Sequence, residues 1–317
     1  MKDNMMWAYL IHLGTNMWGD QGSTSEISPY HEKLETDDEI WREVVDFLPS
    51  QGINTLLIDL GDAVCYESHP ELAIAGAWSK KKLADELDRI RSLGMTPLPK
   101  LNFSACHDAW LGIYSRMLST PEYYKVCADL IAETSELFGH PAYFHLGLDE
   151  ETAENQRGLN YAVIRQGQLW WHDCYFLFDA CEKAGARPWV WADPVWHNPE
   201  DYLKNMPKSV LQSNWYYGSV KRNPDGTVLD DGSSQARAYM AYLRLDEAGY
   251  EQVPTSSTWS NWWNSLHTMR LCKESLNPDR LMGFMTAPWE FTYPSTYYAL
   301  LNDAVRFGEA RKKIYGA

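Results

Sequence analysis

Two carboxylates side by side, Asp149 and Glu150, are the residues in this chain best suited to acid–base chemistry. Acids that share a pocket cannot both ionise freely, so the pKa of one rises and it can hold a proton near neutral pH. A general acid needs that property. Asp62, His107, Asp193 and Glu290 add further titratable groups, and Trp191, Trp215, Tyr216, Trp259 and Trp289 add rings. Any one of these acids taken alone reads more readily as a solvated loop residue, and Trp191 reads equally well as core. Their weight depends on whether the fold gathers them.

The elements that would gather them are visible as eight short apolar runs. These are Ala8–Gly14, Thr55–Leu60, Thr96–Leu101, Tyr143–Leu148, Pro188–Ala192, Val210–Trp215, Glu251–Thr255 and Leu281–Ala287. Each has strand length and lacks a helical period. Helical patterns alternate with them. Thr36-Asp37-Asp38-Glu39 reads as a capping box, Pro121 after Thr120 as a first helical position, and Gly94, Gly139, Gly185 and Gly249 as stops. Strand then helix, eight times in 317 residues, predicts one α/β domain, a (β/α)8 TIM barrel over 1–317. Pro97, Pro99 and Pro254 are awkward in strands. A turn-rich excursion at 218–234 is expected to be mobile. In such a barrel the chemistry sits at the carboxyl ends of the strands. Asp62, His107, Asp149-Glu150, Asp193, Trp215, Trp259 and Trp289-Glu290 all fall there, forming a cup of carboxylates walled by indoles.

Composition narrows the ligand. Lysine and arginine number 28 against 43 acidic residues, a formal charge of −15, which disfavours nucleic acid and anionic membrane as partners. The chain carries 15 tryptophans; a ring offers a flat apolar face with a polar edge, and sugars present C–H faces to such surfaces. No glycine-rich phosphate loop follows the first run, no G-x-S-x-G elbow appears, and His12, His107 and His145 lie on separate strands without H-x-H or H-E-x-x-H spacing. No metal and no cofactor is therefore expected. The six cysteines include no C-x-x-C pair, and reduced, buried thiols are expected. No run reaches the length of a membrane span. The start, Met1–Met6, is polar and Ala8–Leu13 is too short for a signal peptide, so a cytoplasmic location is expected, with a secreted form whose leader has been removed as the alternative. Oligomeric state is not readable.

His145-Leu146-Gly147-Leu148-Asp149-Glu150 resembles the H-x-G-G-D-E motif of glycoside hydrolase family 20, the retaining β-N-acetylhexosaminidases. Trp191-Ala192-Asp193 resembles the family's W-D-E, Asn214-Trp215 its sixth-strand tryptophan, and Gly283 through Glu290 its closing G…W-x-E. The likeness extends to Gly94–Pro99 and covers nearly the whole chain. It implies substrate-assisted hydrolysis of terminal β-linked N-acetylhexosamine (GlcNAc or GalNAc) from an oligosaccharide or glycoconjugate. Most retaining glycosidases place two carboxyl groups about 5–5.5 Å apart, but this family is an exception because the substrate's own acetamide attacks. Carried over, Glu150 is the general acid and base and Asp149 orients the acetamido N–H. Asp62 orients His107, which contacts Glu150. Trp191, Trp215 and Trp289 wall the sugar subsite and Glu290 accepts from ring hydroxyls, while Trp259 and Asp193 join the substrate-binding set by their strand-end positions. His145 supports the motif rather than touching substrate. Successive side chains on a strand point opposite ways, so a bend after Gly147 must turn both acids into one pocket.

The chain also departs from the family pattern. Gly14-Thr15-Asn16-Met17-Trp18 stands where an arginine is usual, Lys100 replaces a glutamate after Pro99, and Leu148 replaces a glycine. The family's seventh-strand tyrosine has no counterpart, and Tyr216 is the substitute considered. Two other readings stay open: a two-carboxylate glycosidase pairing Glu150 with Glu290 or Asp193 on non-acetamido sugars, and a non-catalytic carbohydrate-binding barrel.

Overall fold

A computed structural model describes residues 5–20, 29–157 and 159–316 of the chain; most of its polar start, residues 1–4, lies outside the described residues. The eight apolar runs form eight strands: β1 (Met6–His12), β2 (Thr55–Asp59), β3 (Thr96–Lys100), β4 (Tyr143–His145), β5 (Arg187–Trp191), β6 (Leu211–Ser213), β7 (Thr255–Ser256) and β8 (Gly283–Thr286). They pair in parallel in the order β6-β5-β4-β3-β2-β1-β8-β7. The ring closes between β6 and β7, where Val253 N–H donates to Gln212 O and Thr255 N–H to Asn214 O, both at 2.9 Å. The architecture is the expected (β/α)8 barrel.

The outer helices are α1 (Asp38–Phe47), α2 (Lys80–Ser92), α3 (Pro121–Leu137), α4 (Gln168–Lys183), α5 (Pro194–His197), α6 (Pro199–Asn205), α7 (Ser234–Glu247), α8 (Asn264–Ser275) and α9 (Tyr297–Tyr315). The short α5 and α6 were not foreseen, because so few residues carry no apolar period; each opens on a proline. The cap of α1 lies one residue beyond the expected box. Asp37 accepts from the N–H groups of Glu39 and Ile40 at 2.9 and 3.0 Å, while the Thr36 hydroxyl donates to Leu13 O.

Pro97 and Pro99 do lie inside β3. Thr96 N–H donates to Asn54 on the β2 side and Leu101 N–H to His145 on the β4 side, so alternation aims the two missing proline donors at β4. Pairing between β3 and β4 shrinks accordingly to the single register Lys100↔His145. The excursion at 218–234 carries an antiparallel bridge, Arg222↔Val228, and Arg222 pairs with Glu274 of α8.

Apolar burial forms two shells. Outward strand residues such as Tyr9, Ile11, Leu56 and Ile58 pack against Val44, Leu87, Leu130 and Phe307 of the helices. Inward residues Ala8, Leu10, Leu57, Leu98, Trp189 and Met285 fill the barrel. Each fully buried aliphatic side chain contributes about 1.5–3 kcal/mol, enough to hold the strand ends as a rigid rim. The cysteines are unpaired, and all but Cys65 are buried. No helix among the described residues is long and apolar enough to cross a membrane.

Candidate active site

The bend that follows β4 is where local conformation and chemistry meet. Gly147, Leu148 and Glu150 have φ of +72°, +69° and +56°. A left-handed non-glycine residue costs about 1–3 kcal/mol and persists only where its surroundings enforce it. Those surroundings are well defined. His145 Nδ1 accepts from Gly147 N–H at 3.1 Å, and Asn102 Oδ1 accepts from Leu148 N–H at 3.3 Å. Asp193 Oδ2 accepts from Glu150 N–H at 2.9 Å. A Cβ at Gly147 would fall inside the Asn102 side chain and within 2.9 Å of its Cα, so this position admits only glycine. His145 supports the motif as expected.

The expected consequence of the bend holds. Asp149 and Glu150 face one cleft, where His107 Nε2 lies 3.3 Å from Asp149 Oδ2 and 3.2 Å from Glu150 Oε2. Asn102 Nδ2 donates to Asp149 Oδ1 at 2.9 Å. Burial alone would push His107 down, but Asp149 and Glu150 outweigh it and hold the imidazole up at about 10. Burial would raise Asp149, yet His107, Lys100 and Asn102 together keep it below the usual carboxylate range. Asp193 goes the other way, its carboxyl raised well above that range by burial and by Asp149. At neutral pH the site therefore holds a charged imidazolium beside an anionic Asp149. The ligand atoms of His107, Asp149 and Glu150 lie within 4.8 Å of one another, close enough to coordinate a cation, but a cation would have to displace the His107 proton first.

The cleft encloses about 570 Å³ and is lined by Trp215, Tyr217, Trp259, Trp289, Glu290 and Phe291 as well as the acids. Trp215 stacks on Tyr217 with centroids 5.1 Å apart. Trp289 Nε1 donates to Tyr217 Oη at 2.8 Å. Trp259 stands at the rim, 67% exposed. Burial raises Glu290.

Three expected roles need correction. Asp62 is buried, but among the described residues no hydrogen bond joins it to His107; it accepts from Asn16 Nδ2 at 2.8 Å, and burial lifts it to about 7. Among the described residues His107 Nδ1 has no hydrogen-bond partner. Trp191 is 1% exposed inside the barrel, with its ring 4.6 Å from His145 and 5.8 Å from Trp289, so it supports the wall from beneath instead of forming it. Tyr216 points outward against Tyr239 and its hydroxyl donates to Ser219 O; Tyr217 is the tyrosine in the cleft. Strand alternation carries this signal, since Trp215 and Tyr217 share a face and Tyr216 does not. Asp193 is bonded to Glu150 N–H and, at 3.4 Å, to Trp215 Nε1, which makes it a brace for the bend. Trp18, whose ring centroid lies 6.1 Å from that of His107, and Asn102 were also missed. Neither stands in a motif, and only the folded loops bring them in.

No protein-family model matches the sequence, and no curated protein matches it. Solved structures do resemble it in fold. A chitobiase from Flavobacterium johnsoniae superposes over 96% of this chain and 51% of its own, with a TM-score of 0.61 and 17% identity. An exo-β-N-acetylglucosaminidase of glycoside hydrolase family 20 from Vibrio harveyi, solved with N-acetylglucosamine, covers 99% of this chain and 57% of its own (TM-score 0.61, 14% identity). A mutant Streptomyces plicatus β-hexosaminidase, solved with its product GlcNAc, covers 96% and 63% (TM-score 0.62, 13% identity). The chain thus spans 51% to 63% of the length of these proteins and has the fold of their barrels.

Proposed function

We propose that this chain is a glycoside hydrolase that releases terminal β-linked N-acetylhexosamine, with the substrate's 2-acetamido group as the nucleophile. The observation that carries the reading is the meeting of Asp149 and Glu150 on one imidazole nitrogen at the edge of an aromatic cleft. Glu150 also lines a second hollow of about 450 Å³ on its far side, with Trp170, Pro194 and His197. A proton donor between two hollows suits an acid standing between a sugar and its leaving group.

In this mechanism Glu150 gives its proton to the glycosidic oxygen as the acetamido oxygen attacks the anomeric carbon. The C–O bond to the leaving group breaks and an oxazolinium ring forms. Asp149, already anionic, accepts the acetamido N–H and stabilises the positive charge that develops there. Tyr217 accepts from Trp289, which leaves its own proton for the acetamido oxygen. Glu150 then takes a proton from water, which opens the ring with retention. Asp193 is a poor nucleophile for the two-carboxylate alternative, because both of its oxygens are engaged by Glu150 N–H and Trp215 Nε1.

Paired aryl glycosides with and without the 2-acetamido group test the reading. Turnover of the acetamido member alone, with inhibition by a thiazoline mimic of the intermediate, is expected. Equal turnover of the 2-hydroxy member would overturn it.

A further inference from the structure

The barrel interior holds a charged layer that the proposed reaction does not use. His12, Asp59, Lys100 and His145 are in register on the four adjacent strands β1 to β4, all inward, none more than 1% exposed. Lys100 Nζ pairs with Asp59 Oδ2, and His12 Nδ1 lies 3.3 Å from the same oxygen. Among the described residues Asp59 is the only acceptor hydrogen-bonded to Lys100, although an ammonium has three donors. Lys100 also lines the cleft floor with Asp149, Asn102 and His107.

A buried ion pair is a poor device for stability, because apolar side chains of similar volume often serve as well or better. Its place suggests another use. His107 is shared between Asp149 and Glu150 at nearly equal distances, so its charge is drawn toward Glu150 whenever that group becomes anionic. Lys100, anchored to Asp59 below, cannot follow. We propose that Lys100 is a positioning residue: a fixed internal cation that keeps Asp149 anionic while Glu150 gives up and regains its proton above it. This deepens the proposed function and rests on it.

The charged and titratable groups around the pair are few. Asp149 is faced by His107 and Glu150, by Cys106 from the loop after β3, by Asp193 from beyond β5 and Tyr217 from beyond β6. Lys100 is faced by Asp59, His12 and His145, and burial holds both histidines neutral. Lys100, but not Asp59, is among the main influences that lower Asp149.

The test is the pH dependence of kcat/KM on an aryl N-acetylglucosaminide. Lys100→Met alone strands a buried carboxylate, so the informative variant is the neutral pair Asp59→Asn/Lys100→Met, with Lys100→Arg as the charge-retaining control. In the neutral pair the acid limb is expected to move up by about one pH unit, with kcat/KM about tenfold lower on that limb and the loss vanishing at higher pH. Lys100→Arg is expected to keep the wild-type limb. A loss of equal size at every pH, or an unmoved limb, would overturn the proposal. Should the wild-type protein hydrolyse no such glycoside, the proposed function fails. The charge relation is then read directly from the carbon-13 titration of Asp149, assigned with Asp149→Asn: an upward shift in the neutral pair supports the proposal, and an unchanged midpoint overturns it.

Discussion

The two halves of the barrel interior are built from different materials. On the β1–β4 side the upper layer is polar, with His12, Asp59, Lys100 and His145 in register below Asn102, His107 and the acid couple. On the β5–β8 side it is aromatic, with Trp189 and Trp191 inside and Trp215 and Trp289 above them. The difference separates two jobs. Charges in a dry interior set protonation states, because an unpaired charge there is costly. Rings set shape, because their contribution comes from area and contact. Under the proposed function, protonation chemistry and sugar binding can therefore be disturbed independently.

The largest expected effect tests the polar side. Glu150→Gln should lower kcat/KM for an acetamido substrate by about 10²–10⁴-fold with its KM little changed, measured by steady-state kinetics; a drop under tenfold would contradict its role. Next, Lys100→Ala should destabilise the fold by about 3–5 kcal/mol, since it leaves Asp59 buried and unpaired, as read by urea denaturation. On the aromatic side, Trp289→Ala should weaken binding of the sugar by about 1–3 kcal/mol, entering mainly through KM. Were Trp289→Ala to shift the pH profile, the division of labour would fail. The smallest effect should come from Tyr217→Phe, about 1 kcal/mol from one lost hydrogen bond, while Tyr216→Phe should leave kinetics unchanged.

Proton linkage separates the halves further. His107 is held above its ordinary value, at about 10, so its contribution to stability is complete below about pH 6.5 and is lost as the pH rises through about 10. Asp149 is depressed, so its contribution is present above the ordinary carboxylate range and lost as the pH falls through its folded value. Unfolding of wild type and His107→Asn should accordingly differ most just below about pH 6.5 and converge in alkali. A difference that grows toward alkali would contradict the assignment.

Much of this could be read from spacing. The strand–helix alternation requires only local periodicity, and the acid couple with its glycine is a contiguous motif, although Asn102 and Asp193, both distant in the chain, hold its bend. Reading failed where a side chain's direction or partner depends on distant chain. Asp62 lies at a strand end as expected, yet its neighbour Asn16 comes from the loop after β1 and claims it. Trp191 has the right position along β5 but ends below the cleft floor, enclosed by His145 and Trp289. Tyr216 is the substitute the sequence reading considers, whereas alternation from Trp215 places Tyr217 in the cleft.

By itself the sequence determined the barrel, the order of its strands and the pairing of Asp149 with Glu150, because periodicity, caps and adjacency are properties of neighbouring residues. Only the tertiary structure decided that both carboxyls converge on His107, that Tyr217 closes the wall, and that Lys100 lies against Asp59 beneath them. Register between strands far apart in the chain brings these groups together, and burial then sets their charge. Neither is written in any single segment.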